Sequence, residues 1–385
     1  MASLEGYYRI RAPLITISKI MGAEIWTSDK FFQPASYMLM AHMVIYNVCN
    51  GYTVLTQISD PVKLMQVTII FGIASQLIFK FFYAISRKYD LRKMFDIAEE
   101  TIYQRYSEGN KEEVLILHKT VRYLGIIWKF LALIYSSTLF VFGMWPIYVY
   151  YSTGQMVPLF SYEIPLIDPA SSFGYILNMF LHVDIYILGI LGSILADYTF
   201  IFIVFHAVAN VDLFILHSKE LSDLLIENDP TKNVRAIKEK WNCCMCDHQI
   251  ATEYLNGTED IVGLLCLVQV FSCIFTICDA MLLVALTDWY AAVCFLIVVF
   301  GEITIYFLIG NFVELKVDEL YASVVSVPWN LLNNIQQKEY GYLLARSQRP
   351  LILTLFGFAP LNFESYMTVL RALYQFFVMI MQSVE

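Results

Sequence analysis

The chain of 385 residues is 58% hydrophobic and 15% charged, and 34 acidic against 25 basic residues leave a net charge of −9. A soluble globule this apolar would expose large greasy patches, so the composition is that of a membrane protein. The acidic balance argues against a nucleic-acid partner, and no Gly-rich phosphate loop, HExxH or GxSxG points to an enzyme.

In chain order, residues 1–35 form a polar arm with Arg9, Arg11, Lys19 and Lys30 and no apolar run ending in a cleavage site, so no cleavable signal peptide is expected. Seven unbroken apolar runs follow, near 36–58, 64–86, 124–151, 173–207, 261–287, 289–312 and 361–384. Each is long enough to cross a ~30 Å hydrocarbon core as a helix. The fourth is about 35 residues, or ~52 Å of helix, and should continue beyond the bilayer. The connections at 208–260 and 313–360 carry helical patterns, notably 213–226 and 234–255. With the overlong fourth run they predict a cytosolic helical anchor bundle. The expected divisions are therefore 1–35 arm, 36–207 first four spans, 208–260 anchor, 261–312 spans five and six, 313–360 anchor and 361–385 last span.

Lys and Arg set the orientation. The arm and the second, fourth and sixth connections hold 21 of them, and the opposite side holds only Lys63. The N-terminus is expected in the cytosol and the C-terminus outside. A G-protein-coupled receptor has the reverse orientation and usually a cysteine in the outer loop after its third helix, whereas residues 152–172 contain none. The outer side carries Asp60, Glu163, Asp168, Asp288 and Glu385 against Lys63, a field that concentrates cations.

Several residues are candidates for chemistry. Lys80 and Lys129, near cytosolic span ends, are expected to snorkel to the interface. His182, Asp184, Asp279 and Glu302 lie within spans and either line a water-filled cavity or pair inside the bundle. Cys243, Cys244 and Cys246, followed by Asp247 and His248, are too tightly spaced for a usual zinc site and have no second cysteine pair, so they read as reduced thiols. His206 and His217 stand isolated. In the outer halves of the spans, Val67, Ile70 and Phe71 form one helical face. Ser137 or Thr138, Val141 and Trp145 form a second, and Met179, Val183 and Tyr186 a third. Aromatic and methionine surfaces with a few hydroxyls suit a small apolar ligand, although ordinary helix and lipid contact produces the same pattern.

The last run reads Leu361-Asn-Phe-Glu-Ser-Tyr-Met-Thr-Val-Leu-Arg-Ala-Leu-Tyr-Gln-Phe-Phe377. It resembles the C-terminal signature of insect odorant receptors, approximately L-N-L-E-T-F-L-S-I-L-K-T-S-Y-S-Y-F. Asp247-His248-Gln249 and Cys278 are also similar to that family. The resemblance implies an all-helical, seven-span channel subunit assembled as a tetramer with a shared coreceptor in the dendritic plasma membrane of an olfactory neuron. It implies a small volatile ligand bound among helices two to six, and cations permeating a pore lined by the last helix, with no cofactor. By alignment, Val369 and Leu373 fall at the pore constriction, and with Phe376 or Phe377 they recur at i, i+4, i+7/8, a stripe that suits a gate that closes by dewetting. Leu373 replaces a smaller residue common in the family, Gln375 a serine and Arg371 a lysine. A charge on the wall of a cation pore would repel, so Arg371 is expected at a subunit seam. The related gustatory receptors end in T-Y-x5-Q-F, of which only an aromatic and Gln382 survive, leaving a gustatory-type channel as the alternative. The coreceptor itself carries a long insertion between helices four and five that this chain lacks.

Overall fold

The computed structural model describes residues 2–26, 30–227, 234–287, 289–349 and 351–384. Among them the chain folds into ten α-helices: α1 (Ala2–Ile20), α2 (Pro34–Thr56), α3 (Pro61–Ser86), α4 (Lys88–Ala98), α5 (Lys111–Thr153), α6 (Ser172–Glu227), α7 (Val234–Leu286), α8 (Tyr290–Ser326), α9 (Asn334–Ser347) and α10 (Phe363–Val384). A π-helical turn, Glu99–Gln104, extends α4, and a single 3-10 turn, Trp329–Leu331, precedes α9. There is no strand among the described residues beyond an isolated bridge from Thr354 to Pro360.

The helix starts are written locally. Asp60 caps α3 by accepting from the amides of Val62 and Lys63, with Pro61 in the first turn where a missing N–H costs nothing. Asn110 caps α5 while Glu113 accepts from the Asn110 amide in return, a reciprocal box that satisfies orphan donors at the first turn. Gly154 ends α5 at φ 72°, the left-handed conformation that relieves the last carbonyls. Gly22, at φ 66°, has no room for a side chain: a Cβ there would lie 2.1 Å from the Ser36 amide nitrogen. The Ser36 hydroxyl instead donates to the Gly22 carbonyl and pins α2 to the end of α1.

Helices α6 and α7 are the central pair, flanked by α3, α5 and α8, while α10 lies on α7 and α8. In the inner part, Tyr7 of α1, Tyr103 of the π turn and Phe202 and His206 of α6 form one aromatic stack. The Tyr7 hydroxyl donates to the Phe95 carbonyl at 2.9 Å. Trp241, fully buried, donates its indole N–H to Glu339 at 2.6 Å and so ties α7 to α9. His248 contacts the Ser347 hydroxyl at 3.0 Å, and burial, with Arg346 nearby, pushes its pKa down to about 4, which keeps the ring neutral.

Five helices, α3, α5, α6, α7 and α8, are long and apolar enough to cross a membrane. The first and last expected runs correspond to α2 and α10, of 23 and 22 residues. The fourth run does continue as helix, by twenty residues to Glu227, and takes in the 213–226 pattern. The expected divisions at 207/208, 260/261 and 312/313 fall inside α6, α7 and α8, so the parts are joined by uninterrupted helices rather than by loops. A polar surface around an apolar stripe reads as a separate segment in sequence, yet the backbone bonds run straight through it. Asp288 and Glu385, counted in the outer charge, lie outside the described residues.

Candidate ligand pocket and pore helix

The outer ends of α2, α3, α5, α6, α7 and α8 close around a cluster that includes Tyr46, Ile70, Phe142, Leu283 and Phe295. The α5–α6 connection folds into it. Phe160 and Tyr162 are buried there although they belong to a loop. Their backbone is satisfied by side chains, because the Phe160 amide donates to His182 Nδ1 at 3.3 Å and His182 Nε2 reaches the Tyr162 carbonyl at 2.9 Å. One accepting and one donating nitrogen is the arrangement of a neutral imidazole protonated at Nε2. The Ile164 amide donates to Asn178 and the Glu163 amide to the Thr53 hydroxyl, at 3.0 and 2.8 Å. The loop is thus stitched to α2 and α6, which no helical periodicity could announce.

Of the ten residues expected to face a ligand, Val67, Ile70 and Thr138 are buried, and Trp145, Met179 and Tyr186 are half-buried. The Tyr186 hydroxyl donates to the Thr138 hydroxyl at 2.7 Å, with the rings of Phe142 and Phe160 edge-on to Tyr186 at 6.0 and 5.5 Å. Phe71, Ser137, Val141 and Val183 lie on exposed faces, about 100° or less around their helices from inward-facing neighbours. Where a helix is apolar on all sides, periodicity gives no phase. The residue missed on α5 is Phe142, one turn from Thr138.

Three of the charged span residues, Lys80, Asp184 and Asp279, have side-chain partners. Lys80 does not snorkel: it is buried, its ammonium 3.2 Å from Asp197 and over the Tyr306 ring. Asp197 also accepts from the hydroxyls of Tyr306, at 2.8 Å, and Tyr135. Asp279 accepts from Thr68 at 2.8 Å, and Asp184 contacts His42 at 3.0 Å. Lys129 is exposed. Beside Lys80, between α2, α3 and α6, lies a largely apolar cavity of about 180 Å³, walled by Leu77, Phe81, Leu188 and Leu195. None of the ten expected residues lines it.

In helix α10, Leu373 is 3% exposed and belongs to the main core, with Val369 packed against the same core and Phe376 half-buried. The exposed face opposite Leu373 is the polar one: Glu364, Thr368, Arg371, Gln375 and Gln382 recur on it at helical spacing.

A family model for the 7tm odorant receptors matches residues 60–374. Putative odorant receptor 83c of Drosophila melanogaster is 19% identical over 378 residues, which cover 95% of this chain and 94% of that one. Odorant receptor 10 of Aedes albopictus is 21% identical over 138 residues, 35% of this chain and 37% of its own. The fold is similar to that of the olfactory receptor OR5 from Machilis hrabei, with a TM-score of 0.74 for the complex with eugenol, at 13% identity and over 98% and 97% of the two chains. The structure of the same receptor described without eugenol gives 0.73 at 15% identity, over the same shares. The family match spans most of the chain and agrees with the C-terminal motif and the all-helical fold: the chain belongs to the odorant receptor family of insects.

Proposed function

We propose that this chain is the odorant-tuned subunit of an odorant-gated, non-selective cation channel, spanning the dendritic plasma membrane of an olfactory neuron seven times with its N-terminus in the cytosol. It works in a heterotetramer with the odorant receptor coreceptor. The observation that carries the ligand site is the Tyr186–Thr138 hydroxyl pair enclosed by Phe142, Phe160 and Ile70. A small volatile recognised by shape and dispersion needs one such polar anchor in an aromatic wall. The buried loop through Phe160 and Tyr162 makes that wall sensitive to how the outer helices are spaced. A ligand that fits one spacing better than another biases gating by that difference in affinity and by no more.

The pore reading follows from α10. Its polar face, from Glu364 to Gln382, offers water and cations a lining that the Leu373 face does not. Arg371 on this helix belongs at a subunit seam, since a charge on the wall of a cation pore would repel the permeating ions. The cavity beside Lys80 supports a second reading of the ligand site, since an apolar void of about 150 Å³ is enough for benzene.

Whole-cell currents under a panel of volatiles, with and without an insect coreceptor, test the function. Responses that require both chains support it; responses from this chain alone would return the gustatory-type reading, and silence with surface expression confirmed would remove the channel assignment. Two variants then separate the sites. Tyr186→Phe should weaken odorant sensitivity about tenfold if the hydroxyl is the anchor, a loss of ~1.4 kcal/mol. Gly192→Leu fills the Lys80 cavity, which a new Cβ enters without a clash under 3.5 Å. If that variant alone abolishes the response, the ligand sits in the cavity.

A further inference from the structure

Outside the membrane part, the structure assembles a set of donors that the sequence leaves scattered. His217 on α6 and Cys243 and Asp247 on α7 present one donor atom each within 4.8 Å of one another. Cys243 and Asp247 are one turn apart on the same face of α7, and α6 brings the buried ring of His217 against them. The His217 Nδ1 to Asp247 Oδ2 distance is 2.6 Å, Cys243 Sγ to the same oxygen 3.3 Å, and Cys243 Sγ to Nδ1 3.7 Å.

From this geometry we infer that His217, Cys243 and Asp247 form a zinc site in the inner bundle. Tetrahedral Zn²⁺ with bonds of ~2.0–2.3 Å places its ligand atoms roughly 3.3–3.6 Å apart. Both contacts of the sulfur already match. Only the nitrogen–oxygen pair, now held together by a shared hydrogen, must open by about 0.7 Å. A thiolate, an imidazole and a carboxylate make a mixed set that suits a borderline cation, and three protein ligands leave a fourth position.

The surroundings are those of a metal-bound histidine. The other ring nitrogen of His217, Nε2, bonds Glu113 at 2.8 Å, the carboxylate contact that orients a liganding imidazole. The second oxygen of Asp247 is held by Arg105 at 3.2 Å and by the Tyr106 hydroxyl at 2.9 Å, which frees the first to face the site. Arg105 also reaches Cys246 at 3.5 Å, and that exposed cysteine marks the solvent side of the cluster.

The exchange is charge-neutral. Zinc entry releases two protons to solvent, one from His217 Nδ1 and one from the Cys243 thiol, and brings in two positive charges, so the net charge is unchanged. Zinc here would clamp α6 to α7, with α5 and the π turn held through the outer contacts. The inference stands whether or not the channel reading is right.

Cobalt(II) is the probe that tests it. The purified full-length chain in detergent, treated with a chelator and then given Co²⁺, should show thiolate-to-cobalt charge-transfer absorption at one equivalent, displaced by Zn²⁺. Cys243→Ser should remove that band. Persistence of a weaker band in Cys246→Ser would identify Cys246 as the fourth ligand, and an unchanged band would identify water, both with the site intact. Glu113→Gln should weaken Zn²⁺ binding roughly 10–100-fold without changing the spectrum. No charge-transfer band in folded wild-type protein, or a band that survives Cys243→Ser, would overturn the assignment.

Discussion

The two ends of α6 are equally apolar and are built in opposite senses. From Tyr198 to Phe214 nearly every side chain is buried, and the few polar ones, such as His206 and Asn210, bond back to the helix. In the outer end, Phe173, Ile176 and Phe180 are about 70% exposed while Asn178 and His182 point inward. The inner end is the centre of a bundle, apolar because protein surrounds it. The outer end is apolar on its exposed side and polar where it meets a loop. Hydropathy measures both alike, because lipid and a packed core are similar solvents; what differs is whether removing a side chain leaves a hole.

That contrast predicts a steep gradient of mutational cost along one helix. Phe202→Ala or Trp241→Ala in the inner bundle should be the most damaging, at about 3–5 kcal/mol each, read as a large drop in melting temperature of the detergent-solubilised chain. Trp241→Phe keeps an aromatic ring but leaves a smaller cavity and loses the bond to Glu339, so it should cost less than Trp241→Ala. If the inner aromatics were as tolerant as the outer ones, the bundle would not be the rigid end of the molecule.

Lys80 sharpens the comparison at the boundary between the two ends. Lys80→Met leaves Asp197 buried without its cation and should cost roughly 3–5 kcal/mol, whereas Lys80→Met with Asp197→Asn should recover much of the loss. Melting curves of the two variants and the wild type decide it. A single variant as stable as the double would mean that the two tyrosine hydroxyls alone satisfy Asp197.

His182 probes the outer end directly. His182→Ala orphans the Phe160 amide and the Tyr162 carbonyl, at about 1–3 kcal/mol for each buried group left unpaired. The expected signature is a weakened odorant response with assembly on the inner bundle intact. Equal loss of both would show that the loop supports the whole fold.

The positions of the long apolar helices were legible because length and apolarity are summed over twenty residues, and errors of phase average out. Phase itself was not legible. Ile70 and Thr138 were separated from Phe71 and Ser137 only by 100° on helices apolar all round, and the Leu373 stripe was equally consistent with a lumen or a seam. Orientation-free signals were lost too. Lys80 was read by its distance from the span end, which cannot see Asp197 117 residues away. His217 lay 26 residues from Cys243 on a different helix, so a motif based on cysteine spacing had no means to include it.

The smallest effect is expected at Phe180, 22 residues before Phe202 on the same helix and 72% exposed. Phe180→Ala removes as many atoms as Phe202→Ala but opens no cavity in the chain, and hydrocarbon fills the space at little cost. The change should lie within about 0.5 kcal/mol, seen as a nearly unshifted melting temperature, and odorant sensitivity should stay within a few-fold of wild type. A loss comparable with that at Phe202 would show that protein and not lipid covers this face. In a tetramer the neighbouring subunit is the candidate cover, and cross-linking from position 180 would then place it. The exposed apolar side of α6 would count as an interface, and the difference between its two ends would be one of assembly order rather than of solvent.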